Sequence, residues 1–87
     1  MNKSYKEKIE EYRKSIDRLD SVLIYTLGER FEKTKKIGKI KAKINLPTSD
    51  HDRELRQIKR IIKIANEANL DPVFAEKIFK TIISEVK

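Results

Sequence analysis

A cation, Arg30, stands where the apolar pattern of the first half of the chain predicts a core residue, and a second cation, Lys41, follows 11 residues later. The apolar positions around them recur at helical spacing: Ile9, Tyr12, Ile16, Leu19, Leu23, Ile37, Ile40 and Ile44. In one continuous helix, the offset of 11 residues from Arg30 to Lys41 returns to within ~20° of the same face, ~16 Å further along the axis. Thr34 and Gly38 lie between them, so the two basic groups would face a gap and not a packed wall. The pattern indicates a pocket for a small anion with more than one negative group; two solvated cations on a rotating stripe are the alternative.

The composition excludes several kinds of site. The 87 residues include no Cys and a single His, His51, so a disulfide framework, thiolate chemistry and a histidine metal cluster are excluded, and we expect neither metal nor cofactor. No apolar run approaches the ~18 residues of a membrane span, and no apolar signal core follows Met1. We therefore expect a cytoplasmic protein without a membrane partner. The net charge of +7 is concentrated in residues 1–45, which carry 13 basic and 7 acidic side chains.

The residues that start and stop helices predict an all-α fold with three helices in a single domain, residues 1–87. The first helix spans about 4–44 and is stopped by Asn45 and Pro47, and the second spans about 50–68. Asp71 followed by Pro72 opens the third, about 71–86, because Pro suits the first helical position. Its apolar stripe comprises Phe74, Ala75, Ile78, Phe79, Ile82, Ile83 and Val86.

The length of the first helix predicts an assembly. A helix of ~40 residues is ~60 Å long, whereas a compact domain of this size has a radius of gyration of ~12 Å. Two later helices of ~25 Å each leave apolar surface that only another subunit can cover, so we expect an obligate homodimer around paired long helices. In such a dimer Arg13 can reach the partner's pocket. An exposed ion pair with Glu10 or Asp17 is the alternative for Arg13.

A succession of short motifs extends along almost the whole chain. In order they are Tyr12-Arg13-x-x-Ile16-Asp17-x-Leu19-Asp20, Gly28-Glu29-Arg30-Phe31, Ile37-Gly38-x-x-Lys41, Leu46-Pro47-x-x-Asp50-x-x-Arg53-Glu54 and Leu70-Asp71-Pro72-x-Phe74. Each motif is weak alone, but their order and spacing together closely resemble the all-helical class of chorismate mutases. The resemblance implies an isomerase of aromatic amino acid biosynthesis, built as an intertwined homodimer with two shared active sites.

The resemblance also implies a role for each cation of the first helix. Arg13 would enter the site of the partner chain, and Arg30 would grip a substrate carboxylate. Lys41 would contact a carboxylate and the ether oxygen whose bond to carbon breaks. In the family a polar side chain late in the last helix gives that oxygen a second hydrogen bond, and the matching position falls beyond Lys87. We expect reduced activity for that reason, since losing one such donor costs ~10²–10³ in rate; a shortened chain, or a natural protein that works with Lys41 alone, are the alternatives.

Three residues at the start of the second helix complete the implied site. Glu54 would accept a hydrogen bond from the ring hydroxyl of the substrate, Asp50 would lie beside that hydroxyl, and Arg53 would be a further binding residue. Lys41, Arg30 and Glu54 are then the catalytic residues. The alternative for this cluster is structural, because carboxylates are stabilised at a helix N-terminus and Arg53 could simply pair with them.

The implied reaction, chorismate to prephenate, agrees with these residue types. It is an intramolecular rearrangement of a dicarboxylate, so it requires positioning and electrostatic stabilisation but no nucleophile. An isochorismate-pyruvate lyase of the same fold is the nearest alternative, and a non-catalytic helical binding or regulatory protein is another. Nucleic-acid binding by the cations from Arg30 to Lys43 is disfavoured, because they point around the whole helix and only Phe31 is interleaved. We expect no nucleic-acid partner.

Overall fold

The computed structural model describes residues 4–85 and contains three α-helices over that range. Helix α1 comprises Tyr5–Lys43, α2 comprises His51–Glu67 and α3 comprises Pro72–Glu85. No strand occurs between residues 4 and 85, so the prediction of an all-α chain with three helices is confirmed. Val86, assigned to the third apolar stripe, lies outside the described residues. The chain divides after Lys33 into two units.

The first unit, residues 4–33 of the described chain, is the long initial part of α1. Ser4 caps the helix: its Oγ accepts a hydrogen bond from the backbone N–H of Glu7 at 3.2 Å, and its carbonyl accepts one from Lys8 at 3.1 Å. None of the described residues of α1 is buried within the chain. Its apolar face is open to solvent, with Leu23 at 61% and Tyr12 at 70% exposure. This unit is therefore stabilised by helix propensity and capping, and not by burial within the chain.

The second unit, residues 34–85 of the described chain, contains the small hydrophobic core. Helices α2 and α3 pack against each other. Ile61 and Ala65 of α2 and Ala75 of α3 are buried together, and Phe79 packs against them. Ile82, also on α3, is buried as well. This pairing fixes how the first turn of α2 and the last turns of α3 contribute to a common surface.

Two asparagines end the helices by the same mechanism. Asn45 and Asn69 have φ of 57° and 56°, the left-handed region that Asn tolerates better than most residues. After α1, the N–H of Leu46 donates to the carbonyl of Lys41 at 2.9 Å; after α2, the N–H of Leu70 donates to the carbonyl of Ala65 at 2.9 Å. These 6→1 bonds are those of the Schellman motif, which satisfies carbonyls left over at a helix end. The first of these bonds ends α1 two residues after Lys41 and reverses the chain at Asn45.

Helix α3 begins at the predicted Asp71–Pro72 pair. The Asp71 carboxylate accepts a hydrogen bond from the N–H of Val73 at 3.0 Å, and the Asp71 carbonyl accepts one from Ala75 at 3.0 Å. Pro72 needs no partner at this position because it has no N–H. None of the helices, over the residues described, is long and apolar enough to cross a membrane.

Candidate active site

Partial burial separates a few charged side chains from all the others. Among the Lys and Arg residues between positions 4 and 85, Arg30 and Lys41 are half-buried and the rest are exposed. Among the Asp and Glu residues of the same range, Glu54 and Glu76 are half-buried and the rest are exposed. Withdrawing a charge from water costs free energy unless a partner or ligand compensates for it. The four half-buried charged residues thus include the three that the sequence predicts to be catalytic, together with Glu76 of α3.

Arg30 belongs to the first unit, near the end of the segment 4–33. Its Nη1 nitrogen is buried, whereas Arg18, on the same helix, is an exposed cation. A guanidinium that is partly removed from water interacts more strongly with an anion than a fully hydrated one does, because screening is weaker there.

Arg13 also belongs to the first unit. It makes an exposed ion pair with Glu10, which the sequence offered as the alternative to a role in the partner's site. Its Nη1 donates to Oε1 of Glu10 at 2.9 Å, and the two side chains are 68% and 63% exposed. An exposed pair at this spacing contributes only ~0–1 kcal/mol, so it is easily exchanged for another anionic partner. The predicted role of Arg13 in the partner's site stays a prediction.

Lys41 lies in the last turn of α1, within the second unit. Its backbone carbonyl accepts the Schellman hydrogen bond from Leu46, so its Cα position is tied to the reversal at Asn45. Its side chain is half-buried, whereas those of Lys39 and Lys43, two residues to either side, are exposed. The backbone structure at the end of α1 therefore fixes the position from which the side chain of Lys41 projects.

Asp50, Arg53 and Glu54 are brought together at the first turn of α2. Asp50 is the N-cap: its Oδ1 accepts the backbone N–H of Arg53 at 3.0 Å, and its carbonyl accepts the N–H of Glu54 at 3.0 Å. The structural alternative for Asp50 is thus observed, and such a cap contributes ~1 kcal/mol to helix stability. Asp50 and Arg53 are exposed, whereas Glu54 is half-buried. The cap holds Glu54 in a fixed position on the helix.

Glu54 faces an open cavity between α2 and α3. The cavity has a volume of about 200 Å³, and its apolar wall is formed by Leu55, Ile58 and Ile83. Its polar lining comprises His51, Glu54, Lys80 and Ser84. The cavity thus combines an apolar wall with a few polar groups, a kind of lining that small-molecule sites also have.

The sequence interpretation did not include Lys80 and Ile83 in the site. Both belong to α3, three residues apart, a spacing that places side chains on neighbouring parts of one helix face. The hydroxyl of Ser84, next to Ile83, donates to the carbonyl of Thr81 at 3.0 Å. A Lys at this spacing is ordinary on a helix, so nothing in the local sequence marks Lys80, and the facing surface of α2 could not be predicted from the pattern of α3 alone.

A larger hollow, about 370 Å³, lies along the start of α1. Its lining consists of Lys6, Glu7, Glu10, Glu11 and Lys14, all of them exposed charged side chains of one helix. No apolar residue lines it, and it includes none of the predicted site residues. Over residues 4–85, no three His, Asp or Glu side chains are grouped so that they could hold a metal ion.

The chain is similar to known proteins over most of its length. A family model described as chorismate mutase type II matches residues 12–87. A protein named chorismate mutase from Methanocaldococcus jannaschii is 35% identical over 81 residues, which are 93% of this chain and 82% of that protein.

Two further relatives are named bifunctional chorismate mutase/prephenate dehydratase. The Aquifex aeolicus protein is 39% identical over 61 residues, which are 70% of this chain and 17% of the relative. The Escherichia coli protein is 33% identical over 73 residues, which are 84% of this chain and 19% of the relative. The chain thus spans most of the Methanocaldococcus jannaschii relative and less than one fifth of each bifunctional one.

Proposed function

The chain belongs to the type II chorismate mutase family, and from this premise we propose that it converts chorismate to prephenate in a cationic pocket. The observation that carries the proposal is the half-burial of Arg30, Lys41 and Glu54, which together with Glu76 are the half-buried charged residues between positions 4 and 85. A dicarboxylate substrate requires cations, and partly desolvated cations bind it more strongly than exposed ones.

The proposed reaction needs no nucleophile and no cofactor. One C–O bond of chorismate breaks while one C–C bond forms within the same molecule, so no atom is gained or lost. Arg30 would hold one substrate carboxylate, Lys41 would contact a carboxylate as well as the ether oxygen, and Arg53 would be a further binding residue, so that the site selects the compact conformer in which the reacting carbons are close. Such positioning lowers the barrier because the entropy of bringing the reacting groups together is lost on binding and not in the transition state.

Lys41 would supply the electrostatic part of catalysis. Negative charge develops on the ether oxygen as its bond to carbon breaks, and a preorganised ammonium donor stabilises that charge more than it stabilises the ground state. Glu54 would accept the hydrogen bond of the ring hydroxyl, with Asp50 beside it. The cap formed by Asp50 supports this placement because it holds the first turn of α2 in position.

We propose that the protein is a homodimer in which each site takes Arg13 from the partner chain. The support is the apolar face of the first unit: Ile16, Leu19 and Leu23 are each more than half exposed, at 52%, 55% and 61%. An apolar face of this kind along a helix that contains no buried residue is typical of a subunit interface. The exposed ion pair of Arg13 with Glu10 would then be exchanged for a substrate carboxylate.

Mixing two inactive variants tests the shared sites. Arg13→Ala and Arg30→Ala proteins, co-expressed or refolded together, are expected to regain about one quarter of wild-type activity. The reason is that half of the randomly paired dimers contain one chain of each kind, and each of these has one intact site. The measurement is chorismate turnover per chain in the mixture, compared with each variant alone.

A second mixture provides the matched control. Arg30→Ala mixed with Lys41→Ala should regain nothing, because both changes affect residues that each chain supplies to its own site. Equal activity in the two mixtures, or none in either, would contradict the proposal that Arg13 acts across the dimer.

We also propose that the protein acts in the cytoplasm. A dianionic substrate does not cross a lipid bilayer unaided, since placing charge in hydrocarbon is costly, so the enzyme is expected where its substrate is made.

The activity itself is tested with two substrates. Purified protein should consume chorismate and form prephenate. Release of pyruvate from isochorismate without chorismate turnover would assign the lyase activity instead. Turnover of neither substrate by the folded protein would leave a binding or regulatory role.

A further inference from the structure

We propose that Lys80 is a substrate-binding residue, which contacts an anionic group of the substrate at the α2–α3 cavity. The inference rests on the proposed function, because it assumes that Glu54 faces a dianionic substrate. It assigns to α3 a role that neither the motifs nor the half-buried cations of α1 include.

The first observation is the composition of the cavity. Lys80 is the one Lys or Arg among the residues that line it, and it shares that lining with Glu54 and an apolar wall of Leu55, Ile58 and Ile83. A ring-containing organic anion matches this set, since the wall accepts apolar carbon and Lys80 accepts an anionic group.

The second observation concerns how loosely Lys80 is held. Its Nζ lies 3.9 Å from Oε1 of Glu76, beyond hydrogen-bonding distance, and its side chain is 65% exposed. Glu76 precedes it by one helical turn and is half-buried. An ammonium at that distance keeps its hydrogen-bond donors available and can turn toward a ligand without breaking a strong contact.

A cation in this cavity would favour an anionic ligand. A dianion that approaches Glu54 meets a like charge in a partly desolvated place, and this repulsion weakens binding. Lys80 supplies the opposite charge on the facing helix. Glu76 acts against it, because its carboxylate competes with the substrate for the same ammonium.

A simpler account makes Lys80 an ordinary i,i+4 partner of Glu76 on the helix surface. The two accounts differ in what they predict for substrate binding. A surface pair affects stability slightly and leaves KM unchanged, whereas a ligand contact changes KM in a direction set by the sign of the charge removed.

The experiment compares Lys80→Met with Lys77→Met, which removes the same charge from an exposed site on α3 outside the cavity. Lys80→Met is expected to raise KM for chorismate about 2- to 5-fold and to change kcat by less than about 2-fold, the size typical of one partly exposed charge contact. Lys77→Met should leave KM unchanged. Glu76→Gln should lower KM, and Lys80→Arg should retain most of the wild-type value. The effect of Lys80→Met should shrink in added salt, because exposed charges are screened.

The possible failures are distinguishable. Equal KM values for Lys80→Met and Lys77→Met, in a protein that turns over chorismate, would overturn the inference and leave the proposed function standing. An increase in KM for Glu76→Gln would also overturn it, and this variant keeps the test open if Lys80→Met does not fold. Absence of chorismate turnover in the wild-type protein would overturn the proposed function and the inference with it.

Discussion

Replacing Arg30 by alanine is expected to lower kcat/KM for chorismate by ~10²–10³-fold. Arg30 is one of two half-buried cations among the described residues, and its Nη1 nitrogen is buried. Truncating it would leave a substrate carboxylate in a partly desolvated place without its charged partner. The measurement is the initial rate of chorismate consumption over a range of concentrations, from which kcat and KM are separated.

Arg18→Ala is the matched control for Arg30→Ala. It removes the same side chain from the same helix at an exposed position, so it should change kcat/KM by less than about 2-fold. Both variants should retain the helical circular dichroism of the wild-type protein. A folded Arg30→Ala protein with wild-type kinetics would show that this cation does not contact the substrate.

Replacing Lys41 by alanine is expected to act mainly on kcat, which should fall by ~10²–10³-fold or more. The proposed hydrogen bond to the ether oxygen strengthens as the C–O bond breaks, so its loss weakens transition-state binding more than ground-state binding. Single-turnover kinetics would separate the chemical step from substrate binding.

Lys39→Ala provides the control for Lys41→Ala. Lys39 lies two residues earlier on α1 and is exposed, whereas Lys41 is half-buried, so the control removes an equal charge without a predicted contact. A large increase in KM with unchanged kcat in Lys41→Ala would contradict the assigned role, because it would mean that Lys41 only binds the ground state.

The helix ends were predictable because single residues determine them. Asn45 and Pro47 predicted the end of α1, which the structure has at Lys43, and Asp71–Pro72 predicted the start of α3, which begins at Pro72. The positive φ of Asn45 and Asn69 was not predicted, since Asn is compatible with several other end geometries.

The sequence does not predict which segment covers each apolar helix face. Periodicity placed Phe74 and Ala75 in one stripe of α3, yet Ala75 is buried and Phe74 is 49% exposed in the chain. A helical pattern identifies the residues that require a partner but does not say whether the partner belongs to the same chain. The exposed apolar face of α1 presents the same ambiguity, which the dimer proposal addresses.

The candidate site was predictable where a charge interrupts an apolar pattern. Arg30 interrupts the apolar stripe and Lys41 lies 11 residues later on the same predicted helix face, and the half-burial of both residues supports their prediction as site residues. Lys80 lies on a polar part of α3, where a Lys is ordinary, so nothing in the local sequence marks it. Lys80 is a candidate binding residue because it lines the same cavity as Glu54, and this cavity forms only when α2 and α3 pack together.

The central claim is tested most directly by following purified wild-type protein and chorismate by proton NMR. We expect the chorismate signals to be replaced by those of prephenate alone, and the conversion to fall to a small fraction of its rate with Arg30→Ala protein. Unchanged chorismate in the presence of folded wild-type protein would contradict the claim. Prephenate formed at equal rates by wild-type and Arg30→Ala protein would contradict the site that the claim depends on.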